Sequence, residues 1–181
     1  MNDRTTFTGK LYRALNPLWA ARPLSGEGAA RYGGRFNPIG MPALYCSLDP
    51  LTALREANQV GDLQPTTLVA LDAMVKPVLN GHSEEALAPF GVTFAQLGDP
   101  AWRDAMREGC EAATQTFARA AVEAGYAGLL VRSFARGTDA QARNLVLWRW
   151  SDAAPHRVTL IDEQNRLGLK RESSAGLRKD V

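Results

Sequence analysis

The chain has 181 residues, 45% of them hydrophobic and 22% charged, with a formal net charge of +2. That length suits one domain with a buried core, and no run of about 18 apolar residues marks a membrane span. So small a net charge excludes the basic excess of a dedicated nucleic-acid binder. Two cysteines, Cys46 and Cys110, and two histidines, His82 and His156, lie far apart in the sequence. They offer no metal-ligand spacing, no disulfide framework and no histidine-based triad. Both histidines are expected to be solvated, and Cys110 to be a small buried hydrophobe. The amino terminus, MNDRTTFTGKLYRAL, lacks the basic start and apolar core of a signal peptide, which points to the cytoplasm. Arginine supplies 17 of the 21 basic residues. Its fork binds phosphate and carboxylate bidentately, but codon bias explains the abundance more simply.

Lys10–Leu15 predicts a first strand, ended by Asn16-Pro17. The Gly-rich stretch LSGEGAARYGGRFNPIGM fits neither helical nor strand periodicity. Pro42–Ser47 predicts a second strand, which runs into a helix over Leu48–Val60. Asp49 is placed to cap that helix, with Pro50 at its first position. At about 100° per residue, Ala53, Leu54, Ala57 and Val60 form its apolar arc, and Arg55 and Gln59 face away. Glu56 falls on the flank of the arc, where a carboxylate is half-desolvated. Thr66–Val75 predicts a strand, and Ser83–Gly91 a short helix or a loop. Asp99-Pro100 opens a long helix, with a core stripe at Trp102, Met106, Cys110, Ala113, Phe117 and Ala121, ending at Gly125. Strands follow at Tyr126–Ser133, Asn144–Trp150 and His156–Asp162, with a polar loop at Phe134–Arg143. Residues 166–181 predict a flexible tail, which leaves 1–165 as a single α+β domain. Its sheet is mixed or antiparallel, with flanking helices.

The stretch RYGGRFNPIGMPALYCS combines two arginines with more backbone punctuation than a simple connection requires. No third glycine completes a dinucleotide fingerprint after Gly26 and Gly28, and no Gly-Lys-Ser/Thr forms a P-loop. What remains is Arg35 on a Gly-rich turn, Tyr45 ten positions later and Glu56 eleven beyond that. Each has a plain alternative: Arg35 as half of an ion pair, Tyr45 as core, and Glu56 as a helix-surface carboxylate.

Taken together, LYRAL, LSGEGA, GGRFNPIGMPALYCS, LREA and LLVRS…RNLVLW resemble the RES-domain family, toxins encoded beside an Xre-type antitoxin. The resemblance runs from Leu11 to Trp148. It implies a fold like that of ADP-ribosyltransferase toxins and cleavage of NAD+, by hydrolysis or phosphorolysis. The rivals are ADP-ribosylation of a cytosolic protein and a catalytically inactive binding module. Carried over by position, the catalytic set is Arg35, Tyr45, Glu56 and Ser133, and Arg13 and Asn144 would help bind NAD+. No metal, membrane or nucleic acid is implied. Two positions depart from the family pattern. Phe36 stands where Trp is common, and Arg132 where Pro is common before the Ser.

The chemistry suits one carboxylate. Nicotinamide leaves NAD+ as a neutral ring and needs no general acid, so the two carboxylates of a glycosidase can shrink to one. Glu56 would stabilise charge developing on the ribose. Arg35, with Arg13, would clamp the diphosphate, and Tyr45 would stack on the nicotinamide or ribose. Ser133 would bond the nicotinamide amide or the ribose.

Overall fold

In a computed structural model, which describes residues 4–59 and 63–168, six strands form one mixed sheet. β1 (Arg4–Leu15) and β3 (Thr67–Asn80) are long antiparallel partners. β2 (Leu44–Ser47), β4 (Gly128–Arg132), β5 (Arg143–Leu147) and β6 (His156–Leu160) are short. The order is β1-β2-β5-β4-β3-β6, and β1 also pairs with β3, so the ladder closes on itself. Only β3 and β4 run parallel.

Period-2 alternation sends the strands' apolar side chains to two faces. On one face Leu11, Leu44, Leu71, Leu145, Leu147 and Val158 meet inside the curved sheet. On the other, Leu79, Leu129, Val131, Val146 and Trp148 pack against Phe117, Ala118 and Ala121 of a helix. Each of the fully buried leucines contributes about 1.5–3 kcal/mol relative to exposure.

Among the described residues six α-helices flank the sheet: α1 (Glu27–Tyr32), α2 (Pro50–Ala57), α3 (Glu84–Leu87), α4 (Phe94–Leu97), α5 (Trp102–Arg107) and α6 (Ala113–Glu123). None of the helices in the described residues is long and apolar enough to cross a membrane.

The start of α2 is as its sequence predicts, with Asp49 Oδ1 accepting from the Thr52 amide at 2.8 Å and Pro50 following. Its end is not. The helix stops at Ala57 with Asn58 as C-cap, so Gln59 is freed from the helical wheel and Ala57 is exposed. Val60 lies outside the described residues.

The long helix predicted from Asp99 is two helices. Gly109 takes φ +74°. The Cys110 amide reaches Ala105 O at 2.8 Å, and the Gly109 amide reaches Met106 O at 3.1 Å. That is a Schellman stop, in which the left-handed residue closes the last turn. The apolar stripe therefore breaks: Phe117 and Ala121 are core, but Cys110 and Ala113 are exposed. The same device ends α6 at Gly125, with φ +90°.

His82 is not the freely solvated group expected, being half-buried. Its Nε2 is buried without a partner and its ring lies 5.8 Å from Phe94. Burial lowers its pKa, and Arg143 and Arg132 add to the effect. β1 and β3 extend well beyond their predicted ends, and α1 and α4 arise in segments without a clear period. Of the predicted tail, Arg166 and Leu167 are tied by their amides to the Asp162 carboxylate, and residues 169–181 lie outside the described residues.

Candidate active site

A cavity of about 430 Å³ opens beside α2 and β2, within the range of small-molecule sites. Arg35, Tyr45, Ser47, Glu56, Gln59 and Asn144 line it, with Trp102, Arg103 and Phe134 on the facing wall.

The carboxylate of Glu56 is held through both oxygens. Its Oε1 accepts from Ser133 Oγ and from Asn144 Nδ2, each at 2.5 Å. Its Oε2 accepts from Gln59 Nε2. Asn144 is aimed by Ser47 Oγ, which donates to its Oδ1 at 2.7 Å. This arrangement follows from the ladder, because Ser47 and Asn144 are direct antiparallel partners and Asn144 also faces Val131, two residues before Ser133. α2 then lays Glu56 over these three polar side chains, with Thr52 and Ala53 as its buried footing.

Tyr45 is fixed on the same sheet face. Its hydroxyl donates to Asn37 Oδ1 at 2.7 Å and accepts from the Phe36 amide at 3.0 Å. Burial pushes its pKa well above the ordinary value, against the pull of the Phe36 amide and Arg35. Tyr45 is therefore a neutral phenol whose oxygen is already committed, and only its ring is offered to the cavity.

Asn37, wholly buried, donates in turn to Ala29 O and Met41 O at 2.9 Å. Gln115 donates to Gly34 O at 2.8 Å and Trp148 to Phe36 O at 2.9 Å. The Gly-rich segment is thus a braced loop whose buried polar groups are satisfied. Gly34 is required there, since an added Cβ would lie 2.5 Å from the Tyr45 hydroxyl.

Arg35 leaves this loop and donates through Nη1 to Asp99 O at 2.7 Å and to Leu97 O at 3.2 Å. Its guanidinium lies 4.6 Å from the Phe134 ring centroid and 5.6 Å from that of Trp102. Burial lowers its pKa, Arg103 pushes the same way, and Glu56, Tyr45 and Asp99 oppose. No ion pair engages Arg35 or Arg103 among the described residues, and their two guanidiniums outnumber the Glu56 carboxylate in the described wall, which leaves the cavity net positive.

Five of the six residues singled out in the sequence therefore converge: Arg35, Tyr45, Glu56 and Asn144 in the cavity wall, and Ser133 beneath Glu56. Ser133 is 2% exposed and not in the wall; its hydroxyl serves the carboxylate. Arg13 does not converge. Strand alternation directs Tyr12 and Ala14 to the cavity and Arg13 to the opposite face, where Nη1 donates to Pro23 O at 2.6 Å and Ser25 O at 3.1 Å. Burial lowers its pKa, opposed by Cys46.

Trp102, Arg103 and Gln59 belong to the site without having been singled out. Trp102 read as helix core and Gln59 as turned away. The usable signal was the Trp102-Arg103 pair, one residue beyond the second Asp-Pro start.

The RES-domain family model matches residues 10–170. Among solved structures, the crystal structure of the M. tuberculosis MbcT–MbcA toxin–antitoxin complex contains a similar fold. The TM-score is 0.63 at 22% identity, over 88% of this chain and 84% of that one. No curated protein matches the chain.

Proposed function

This chain belongs to the RES-domain family, and from that premise we propose that it is the toxin of a toxin–antitoxin pair and cleaves the nicotinamide–ribose bond of NAD+. The observation that carries the reading is the Glu56 carboxylate, oriented by Ser133, Asn144 and Gln59 at the wall of a cationic, aromatic-sided cavity. A carboxylate fixed in advance stabilises developing positive charge without reorganising during the reaction.

In this reading Arg35 presents its free Nη2 and Nε to the diphosphate. Tyr45 gives a ring face beside Glu56, and the pyridinium ring stacks there. The C1′–N1 bond breaks, nicotinamide departs with the bonding pair as a neutral molecule, and Glu56 faces the oxocarbenium-like ribose. Water or phosphate then adds to C1′ and loses its proton to solvent, leaving ADP-ribose or its phosphate ester. No acid is needed for this leaving group, which agrees with Glu56 being the one carboxylate in the cavity wall among the described residues.

The partner is proposed to be a cognate antitoxin of the Xre type. The toxin–antitoxin complex with a similar fold supports the pairing, and the antitoxin type rests on the family resemblance.

The test is nicotinamide release from NAD+ by the purified chain and by Glu56→Gln. The substitution keeps shape and removes charge, so turnover is expected to fall by about 100-fold or more. Equal release by both proteins would remove Glu56 from the mechanism. Added phosphate, or a lysate with labelled NAD+, identifies the acceptor, and label on a protein would move the reading to ADP-ribosyl transfer.

A further inference from the structure

Glu56 Oε1 is occupied by two donors from the sheet side, Ser133 and Asn144. Among the described residues its Oε2 has a single donor, Gln59 Nε2, so how the carboxylate faces the cavity depends on that amide. A primary amide has two chemically opposite ends. With its N–H toward Glu56 it attracts the carboxylate, and with its oxygen there it repels.

The residue that selects the end is Arg103. Its Nη2 donates to Gln59 Oε1 at 2.7 Å, and a guanidinium has no acceptor, so it tolerates only the oxygen of the amide. Arg103 is itself braced over the Trp102 ring, 4.4 Å from its centroid. Gln59 lies past the end of α2, and among the described residues its side chain bonds to Glu56 and Arg103 alone.

We infer that Gln59 is a positioning residue for Glu56 and that Arg103 acts through it, so that α5 on one wall of the cavity sets the carboxylate on the other. The inference rests on Glu56 being the charge-stabilising group. It departs from the simpler assignment of Arg103 as a second direct contact to substrate phosphate, which would make its effect independent of Gln59.

A double-mutant cycle separates the two. Gln59→Met and Arg103→Met are each expected to lower kcat for nicotinamide release by about tenfold or more, with KM within about twofold, because misplacing a catalytic group costs rate more than binding. The double variant should be no slower than Gln59→Met. Additive losses, or a rise in KM confined to Arg103→Met, would overturn the relay. Gln59→Glu is nearly isosteric and keeps an acceptor for Arg103, but it sets a second carboxylate against Glu56. It should be at least as slow as Gln59→Met, and full activity would overturn the inference.

A readout independent of the reaction is the Gln59 side-chain amide resonance, followed by NMR. It should shift in both Glu56→Ala and Arg103→Met. No shift in Arg103→Met would overturn the relay whatever the substrate. Failure of the parent to cleave NAD+, with these shifts present, would count against the NAD+ reading alone.

Discussion

Arg35 and Arg13 place the same functional group in opposite settings. Arg35 spends one Nη on the carbonyls of Leu97 and Asp99 and lies against Phe134 and Trp102 in the cavity wall. Arg35→Lys loses both the tether and the planar fork. Its affinity for NAD+, measured calorimetrically, should fall roughly tenfold, the size of a lost charge-assisted hydrogen bond; unaltered affinity would remove the diphosphate clamp. Arg13 instead spends its guanidinium on Pro23 and Ser25 carbonyls. Arg13→Ala should lower the denaturation midpoint, leaving buried carbonyls unpaired at about 1–3 kcal/mol, while KM for NAD+ stays unchanged. A raised KM at unchanged stability would return Arg13 to the binding site.

At the scale of elements, the braced loop from Gly33 to Met41 decides the site. It has little regular structure, yet Asn37, Gln115, Tyr45 and Trp148 give its backbone fixed partners. Gly34→Ala would force the Tyr45 hydroxyl away from Asn37, since the new Cβ sits 2.5 Å from one and 2.7 Å from the other. Stability should fall by about 1–3 kcal/mol and nicotinamide release with it, because Arg35 and Tyr45 move together. A variant as stable and active as the parent would mean that the loop is not braced through this contact. The break between α5 and α6 is equally local. Gly109 ends one helix so that Trp102 and Arg103 stand at the cavity, free of the direction of Phe117 in the core.

Over the whole molecule, the sheet carries a packed core on each face, and this sets an expected response to alkali. Cys46 lies wholly within the curved sheet, and burial pushes its thiol from 9.0 up to about 12, only partly offset by Arg13. Below pH 9 both folded and unfolded chains hold this proton. As pH rises from about 9 through about 12, the unfolded chain releases it first, so stability falls. Burial of the Tyr45 phenol acts in the same direction. Cys46→Ala should reduce the slope of stability against pH in that window by up to about 1.4 kcal/mol per unit. An unchanged slope in denaturant titrations would show that the thiol ionises without unfolding.

Much of this was legible in the chain itself. The strands containing Tyr45 and Asn144, the Asp49-Pro50 helix start and the flank position of Glu56 follow from periodicity and capping, which act over a few residues. The family signature grouped Arg35, Tyr45, Glu56, Ser133, Asn144 and Arg13 before any contact was known, and the structure brings together all of them but Arg13. What local pattern could not supply was direction. Arg13 and Tyr12 are adjacent, but only the pairing of β1 with its neighbours decides which of them faces the cavity. Gln59 reads as turned away if the helix runs to Val60, and turns inward because it stops at Ala57. Trp102 and Arg103 join the site through contacts with Arg35 and Gln59, 67 and 44 residues away in the chain. Such long-range contacts form only when the sheet closes and α5 is set against it, so tertiary structure decided that Gln59, Trp102 and Arg103 share the cavity and that Arg13 does not.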